Sequence, residues 1–226
     1  MKTLTEKQGV LIVNKPPGKT SHDIVAMVRR ILGMKRVGHA GTLDPLATGV
    51  LVILVGKSTK MFDNFVAFDK TYRATLQLGL KTSSADTMGE TLEEKTYDGI
   101  TQEQVQAAFK KFTGAIEQLP PMVSAVRHKG ERLYKLAWAG KQVERTPRNV
   151  RIDELSILRF NLPEVEFIMA CSKGTYVRQL ADDVGDLLGC GACICQIERT
   201  KVGPFDISQA TNIEDINESH LINWNG

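Results

Sequence analysis

Long apolar runs are missing from this 226-residue chain. The longest, such as residues 50–55, fall far short of the ~20 apolar residues that a membrane helix needs. The opening stretch MKTLTEKQGVLIVN holds no long apolar signal-peptide core. The expectation is a cytoplasmic protein with no membrane association. Cysteine is scarce, with four in all: Cys171, Cys190, Cys193 and Cys195. A structural zinc site wants a second C-x2-C pair, or histidines at short spacing, beside the pair Cys190/Cys193, and neither is present. The four thiols therefore read as reduced, mostly buried small hydrophobes, and no metal is expected. Internal repeats and low-complexity segments are absent too. At 42 % apolar and 24 % charged residues the composition is that of an ordinary globular protein, which excludes disordered, collagen-like and coiled-coil chains. A chain of this length buries roughly 70–75 % of its unfolded surface and needs no staple.

Net charge is only +3, but it is unevenly spread. Residues 1–60 carry 10 basic against 3 acidic side chains, and residues 121–180 carry 11 against 6. Residues 61–120 hold 6 against 9 and residues 181–226 hold 2 against 8. Two basic blocks in a nearly neutral chain are the footprint of a polyanion-binding surface. On charge alone the plainer reading is a protein with a basic and an acidic face, both solvated.

The local patterns intermingle strands and helices. A short apolar strand over residues 10–13 stops at Asn-Lys-Pro-Pro-Gly. Thr20 or Ser21 caps a helix through about Leu32, with Ile24, Met27, Val28 and Ile31 on one stripe and Gly33 at its end. A loop rich in Gly and Pro, GHAGTLDPLATG (residues 38–49), precedes the buried-type strand 50–55. Residues 71–79 alternate as a half-buried strand, with Tyr72, Ala74, Leu76 and Leu78 on one face. Thr101 and Gln104 make a capping box for a helix buried through Val105, Ala108, Phe109 and Phe112 and closed by Gly114. Periodicity then fades from Pro120 to Arg151. A strand over 165–171, a helix over about 175–188 and a last strand near 194–201 follow. The helix buries Val177, Leu180, Ala181, Val184 and Leu188. Without regular βαβ alternation this predicts an α+β fold with a mixed sheet. No linker divides it, so one domain is expected over residues 1–226.

Few residues invite a chemical reading. Gly18-Lys19-Thr20 and Gly56-Lys57-Ser58 lack the earlier glycine of a phosphate loop, having Val13 and Leu51 in its place. Loops such as 38–49, held between rigid elements, are where active-site groups are commonly mounted. Its Asp44-Pro45 pair reads either as a catalytic carboxylate or as a helix N-cap followed by proline. His39 reads as a loop hydrogen-bonder or a base. Arg178 sits near the N-terminus of its helix, where the macrodipole disfavours a cation. Its partner is either Asp182, one turn on, or an anion outside the helix. Tyr72 reads as a core tyrosine. Residues 127–151 hold eight Lys/Arg and two acids, with His128, Tyr134 and Trp138 interleaved. That pattern suits phosphate contacts and base stacking, while Leu133, Leu136 and Ala137 suggest a short packed helix within it.

Taken together, these segments resemble the TruB-type tRNA pseudouridine synthases. The resemblance rests on GVLIVNKPPGKTS (9–21), GHAGTLDPLATGVL (38–51), KTYRATLQLG (70–79), TSSADTMG (82–89), PPMVSAV (120–126), SKGTYVRQLADDVG (172–185) and CGACICQIERTKVGPF (190–205), in the family's order. It implies a pseudouridine synthase fold: α+β, with a mixed, mainly antiparallel sheet flanked by helices and loops. It implies catalysis by Asp44 as nucleophile, with Arg178 as the arginine paired to it and Tyr72 beneath the target base, implicated in proton abstraction. His39 corresponds to the histidine that enters the T-loop, and Ile197 to the aliphatic residue against the uracil. Asp86 and Tyr176 correspond to positions lining the cleft. Residues 122–151 correspond to a mobile RNA-gripping insertion. Lys15 in the first motif, and Arg127, Lys129, Arg132 and Arg148 in or beside the insertion, are expected to contact RNA. The implied activity is isomerisation of uridine 55 in the T-loop of tRNA, without cofactor, by a monomer. A runner-up is an RNA-folding module without catalysis, and a third reading is the same chemistry on another RNA. Many relatives continue into a C-terminal RNA-binding domain, whereas here the segment 206–226 reads as a short acidic tail.

Overall fold

Proline and capping chemistry lay out the first elements. The computed structural model describes residues 7–224. Strand β1 (Gly9–Lys15) is stopped by Pro16 and Pro17, which have no N–H to give to a ladder. Thr20 opens α1 (Ser21–Leu32): its hydroxyl accepts from the Asp23 N–H, and the Asp23 carboxylate accepts from the Thr20 N–H. Gly33, in the left-handed conformation, closes the helix. Its buried face is Ser21, Ile24, Val25, Val28 and Leu32, whereas Ile31 is 43 % exposed. This is one residue round from the expected stripe. The two apolar rows share Ile24 and Val28, so periodicity alone does not separate them.

Strands β2 (Val37–Ala40) and β3 (Thr48–Val55) follow, then α2 (Phe62–Ala67) and β4 (Lys70–Leu78). A hairpin of β5 (Leu80–Thr82) and β6 (Thr91–Glu94) leads to α3 (Gln102–Lys111), opened by the Thr101/Gln104 capping box. Strand β7 (Gly114–Gln118) precedes the basic stretch. Within that stretch lie a minimal hairpin, β8 (Arg127–His128) with β9 (Glu131–Arg132), and a short helix α4 (Leu133–Trp138). Then come β10 (Arg148–Asn161), β11 (Glu164–Cys171), α5 (Val177–Leu188) and β12 (Ala192–Val202). The short strands β13 (Phe205–Asp206) and β14 (Thr211–Asn212) complete the set. No helix of the described residues is long and apolar enough to cross a membrane.

The chain folds as two compact units. One holds the residues up to Thr71 together with those from Glu198, and the other holds Tyr72–Ile197. The chain crosses from one to the other inside β4 and again inside β12, so no linker marks the division in the sequence.

In the first unit the strand order is β14-β1-β3-β12, with β2 on β3 and β13 on β12. Strand β3 is antiparallel to β1 (Val10 opposite Leu54) and parallel to β12 (Arg199 opposite Gly49). The core is Val10, Ile12, Ala40, Val50, Val52, Leu54, Phe65, Val202 and Phe205. The acidic C-terminal segment is part of this packing. Strand β14 pairs in parallel with β1, Val10 and Ile222 exchange N–H···O bonds of 2.9 Å, and the Trp224 ring lies 5.1 Å from that of Phe205.

In the second unit the order is β4-β11-β10-β7. Strand β11 alternates as its sequence predicts, burying Val165, Phe167, Met169 and Cys171. It is antiparallel to β10, which is antiparallel to β7. The Phe109 ring of α3 meets Phe167 edge-on at 5.5 Å. Helix α5 packs its Gly185 onto the start of β12, so closely that a Cβ there would lie 2.1 Å from the Ala192 nitrogen. Both units together make a mixed α+β fold whose pairings are mainly antiparallel.

Candidate active site

Asp44 lies on the loop 41–47 between β2 and β3. The expected loop 38–49 is shorter than its composition suggests, because 38–40 and 48–49 are already strand. No helix follows Asp44, so the N-cap reading falls away. Instead its carbonyl accepts from the Ala47 N–H at 3.1 Å in one tight turn. The backbone of this loop is held from α1, from the end of β1 and from β12. The buried Ser21 hydroxyl accepts from the Leu43 N–H (2.8 Å) and donates to the Leu43 carbonyl (3.0 Å). Gly18 N–H donates to the Pro45 carbonyl at 2.9 Å.

Lys15 supports the same loop from within. Its ammonium donates to the Lys19 carbonyl (2.6 Å), the Pro16 carbonyl (2.9 Å) and the Pro45 carbonyl (3.4 Å). Lys15 has no exposed surface, which corrects the expectation that it contacts RNA: a side chain enclosed by its own backbone offers nothing to a phosphate. Burial pushes its ammonium down to about 8, opposed by the Asp44 carboxylate and reinforced by the Arg199 cation.

Arg199, on β12, was not singled out by its residue pattern, since a basic residue in a strand reads as an outward-facing one. It is 1 % exposed. Its guanidinium donates to the carbonyls of Val50 (2.8 Å), Gly41 (3.0 Å) and Thr42 (3.4 Å). Gly49 adopts φ +91°, and a Cβ there would lie 2.4 Å from the Arg199 carbonyl oxygen, so only glycine fits. His39, half-buried on β2, meets the His22 ring edge-on at 5.4 Å.

The second unit carries the remaining expected residues. Tyr72 is 9 % exposed, on the buried face of β4 with Ala74, Leu76 and Leu78. Arg178 is 4 % exposed in the first turn of α5. Its guanidinium donates to the carbonyls of Ser84 (2.6 Å) and Val123 (2.8 Å), and its Nε lies 3.6 Å from the Asp86 carboxylate. Asp182, the partner one turn on in the local reading, lies 3.3 Å from the Lys81 ammonium. A buried cation at a helix N-terminus is thus offset by a distant carboxylate and two carbonyls. Asp86 is itself held: it accepts from the Ser84 hydroxyl (2.6 Å) and the Met88 N–H (3.0 Å), and its segment is bridged to Ile194. Tyr176 caps α5, its backbone clamped by the Gln118 amide, which accepts from the Tyr176 N–H (2.8 Å) and donates to its carbonyl (3.0 Å). The clamp spans 58 residues, so no local pattern marks Gln118 in the sequence. Ile197 is half-buried on β12.

In the basic stretch Arg127, Lys129 and Arg148 are exposed and Arg132 is half-buried. Arg127 faces Arg132 across the β8–β9 hairpin, and Arg148 begins β10. The expected short helix is α4: Leu133 and Leu136 are buried, while Trp138 is 77 % exposed with Tyr134 edge-on at 5.0 Å. Of the cysteines, Cys171, Cys190 and Cys193 are buried and Cys195 is half-buried. Burial pushes the Cys193 and Cys195 thiols up to about 11, where they are poor nucleophiles and poor ligands.

Residues 29–177 match the family described as TruB family pseudouridylate synthase (N terminal domain). The chain belongs to the TruB family. Residues 178–225 match the tRNA pseudouridylate synthase B C-terminal domain of the same family, so Arg178, Ile197, Arg199 and the acidic segment fall within that second match. The chain is 48 % identical over 213 residues to the tRNA pseudouridine synthase B of Clostridium tetani, covering 94 % of this chain and 74 % of that one. It is 44 % identical over 211 residues to the protein of the same name from Opitutus terrae, covering 93 % and 88 %. Among solved structures it resembles a Cbf5-Nop10-Gar1 complex, with TM-score 0.73, 29 % identity and 92 % of this chain covered. It also resembles an H/ACA RNP bound to a substrate RNA containing 2′-deoxyuridine, with TM-score 0.69 and 26 % identity. The chain spans about half the length of these two structures, 53 % and 51 %. The fold is therefore that of the pseudouridine synthases, and this TruB-family chain is an isomerase.

Proposed function

We propose that this enzyme acts on tRNA, isomerising uridine 55 of the T-loop to pseudouridine with Asp44 as the nucleophile. The observation that carries this reading is the Asp44 loop in a TruB-family chain: a half-buried carboxylate on a backbone fixed by Ser21, Lys15 and Arg199. The names of the relatives in Clostridium tetani and Opitutus terrae support tRNA as the substrate.

The residue types suit the chemistry. Isomerisation breaks the C1′–N1 bond of uridine and forms a C1′–C5 bond. C5 loses its proton and N1 gains one, so no atom is lost overall, and the step involves no redox change and needs no cofactor. A carboxylate serves as nucleophile toward C1′, as in retaining glycosidases, or toward C6 of the ring. The detached uracil must turn over in a pocket that excludes water. Tyr72 and Ile197 supply apolar walls in this reading, and the Tyr72 hydroxyl takes part in proton abstraction. Arg178 is the arginine to which the family resemblance gives the role of partner to the nucleophile. His39 enters the T-loop, and the basic stretch grips the phosphates that flank it. The target base must leave its stack at a cost of a few kcal/mol, which phosphate contacts offset.

Tritium release from a [5-³H]uridine-labelled T-arm hairpin tests the reading. The wild-type protein releases tritium, and Asp44→Asn lowers the rate roughly ten-thousandfold. Binding of the hairpin without release by the wild type would promote the RNA-folding module instead. Equal release by both proteins would mean that another carboxylate is the nucleophile.

A further inference from the structure

Arg199 is buried as deeply as any hydrophobe in the core, yet it carries a permanent charge. A well-packed apolar side chain of similar volume is often no less stable than a buried charge, so what the hydrogen bonds of Arg199 hold in place becomes the question. Among the described residues every hydrogen bond of its guanidinium runs to a main-chain carbonyl, and all three carbonyls flank Asp44: Gly41 and Thr42 before it, Val50 after it. One planar fork thus ties together the entry and the exit of the loop. The main chain of the same residue presses on the exit as well, since Gly49 is its register partner and the approach there leaves no room for a Cβ.

From this geometry we infer that Arg199 is a positioning residue for catalysis: it sets where the Asp44 carboxylate stands without touching the RNA. The inference rests on Asp44 being the nucleophile. A nucleophile misplaced by about 1 Å loses on the order of a hundredfold in rate, and a loop free to shift at both ends misplaces its central residue. Lysine at 199 keeps the charge but has no planar fork with which to span three carbonyls. Methionine keeps the unbranched bulk and loses the donors.

The test compares wild type, Arg199→Lys, Arg199→Met and Asp44→Asn on the T-arm hairpin. It measures single-turnover tritium release at saturating enzyme, the hairpin dissociation constant by filter binding, and the thermal melt. The expected result is a rate lowered on the order of tenfold in Arg199→Lys and a hundredfold in Arg199→Met. Hairpin affinity stays within about threefold of wild type in both. A folded Arg199→Lys or Arg199→Met protein with the wild-type rate, beside an inactive Asp44→Asn, overturns the inference. So does a rate that falls only through weakened hairpin binding. If Arg199→Met melts below the assay temperature, Arg199→Lys decides alone. Full activity in Asp44→Asn is a different failure: it removes the nucleophile assignment itself.

Discussion

Lys15 shows how a residue expected to face the RNA can turn inward instead. The motif that contains it is legible in the sequence, and a lysine in a chain with basic blocks reads as a phosphate ligand. Two of its acceptors, Pro16 and Lys19, are local, but the third, Pro45, lies 30 residues away and no local pattern shows it. Burial has a measurable consequence. The Lys15 ammonium titrates near 8 against 10.5 for an ordinary lysine. Between those values the unfolded chain holds a proton that the folded chain has released, so this group makes the protein more stable as pH rises through the window. Relative to Lys15→Met, wild type should gain of the order of 3 kcal/mol between pH 8 and pH 10.5, read from urea denaturation at each pH. A stability difference that stays flat would contradict it. Arg178 carries a similar lesson. Its oddity at a helix N-terminus is visible in the sequence, but the Asp86 carboxylate that lies beside it is 92 positions away and no local pattern names it.

At the scale of elements, legibility follows whether the stabilising contacts are local. The capping box of α3 lies within four residues and is legible in the sequence, as are the cap of α1 to within one residue and the alternation of β11. Strands β7 and β10 are not. Strand β10 carries two register shifts and exposes nine of its fourteen residues, which breaks the period-two signal. The join between α1 and the active loop also escapes the sequence, although one hydroxyl makes it. Removing that hydroxyl in Ser21→Ala leaves the Leu43 N–H without its 2.8 Å acceptor. The expected cost is about 1–3 kcal/mol in a denaturation midpoint, with a fall in activity larger than the fall in hairpin affinity. Gly185→Ala tests a different contact, since the new Cβ meets the Ala192 main chain. Overpacking against backbone costs about 1–3 kcal/mol or more, and urea denaturation of this variant should show it. Wild-type stability there would mean that α5 and β12 part without penalty.

At the scale of the whole molecule, the charge pattern carries the account of RNA binding. Residues 127–151 hold eight basic side chains against two acidic ones, and Arg127, Lys129 and Arg148 present theirs to solvent. Each phosphate contact released on substitution should flatten the plot of log affinity against log salt by about one. Glutamine at these three positions should therefore weaken and flatten hairpin binding, while single-turnover release at saturating enzyme stays near wild type. An unchanged slope would place the grip elsewhere. The division into two units is the feature least legible in the sequence, because both crossings run inside strands. The central claim concerns one uridine and one carboxylate, and mapping pseudouridine in a full-length unmodified tRNA transcript tests it most directly. Wild type should leave one pseudouridine, at position 55, and Asp44→Asn should leave none. Pseudouridine at other positions with position 55 unmodified, or undiminished modification by Asp44→Asn, would contradict the account.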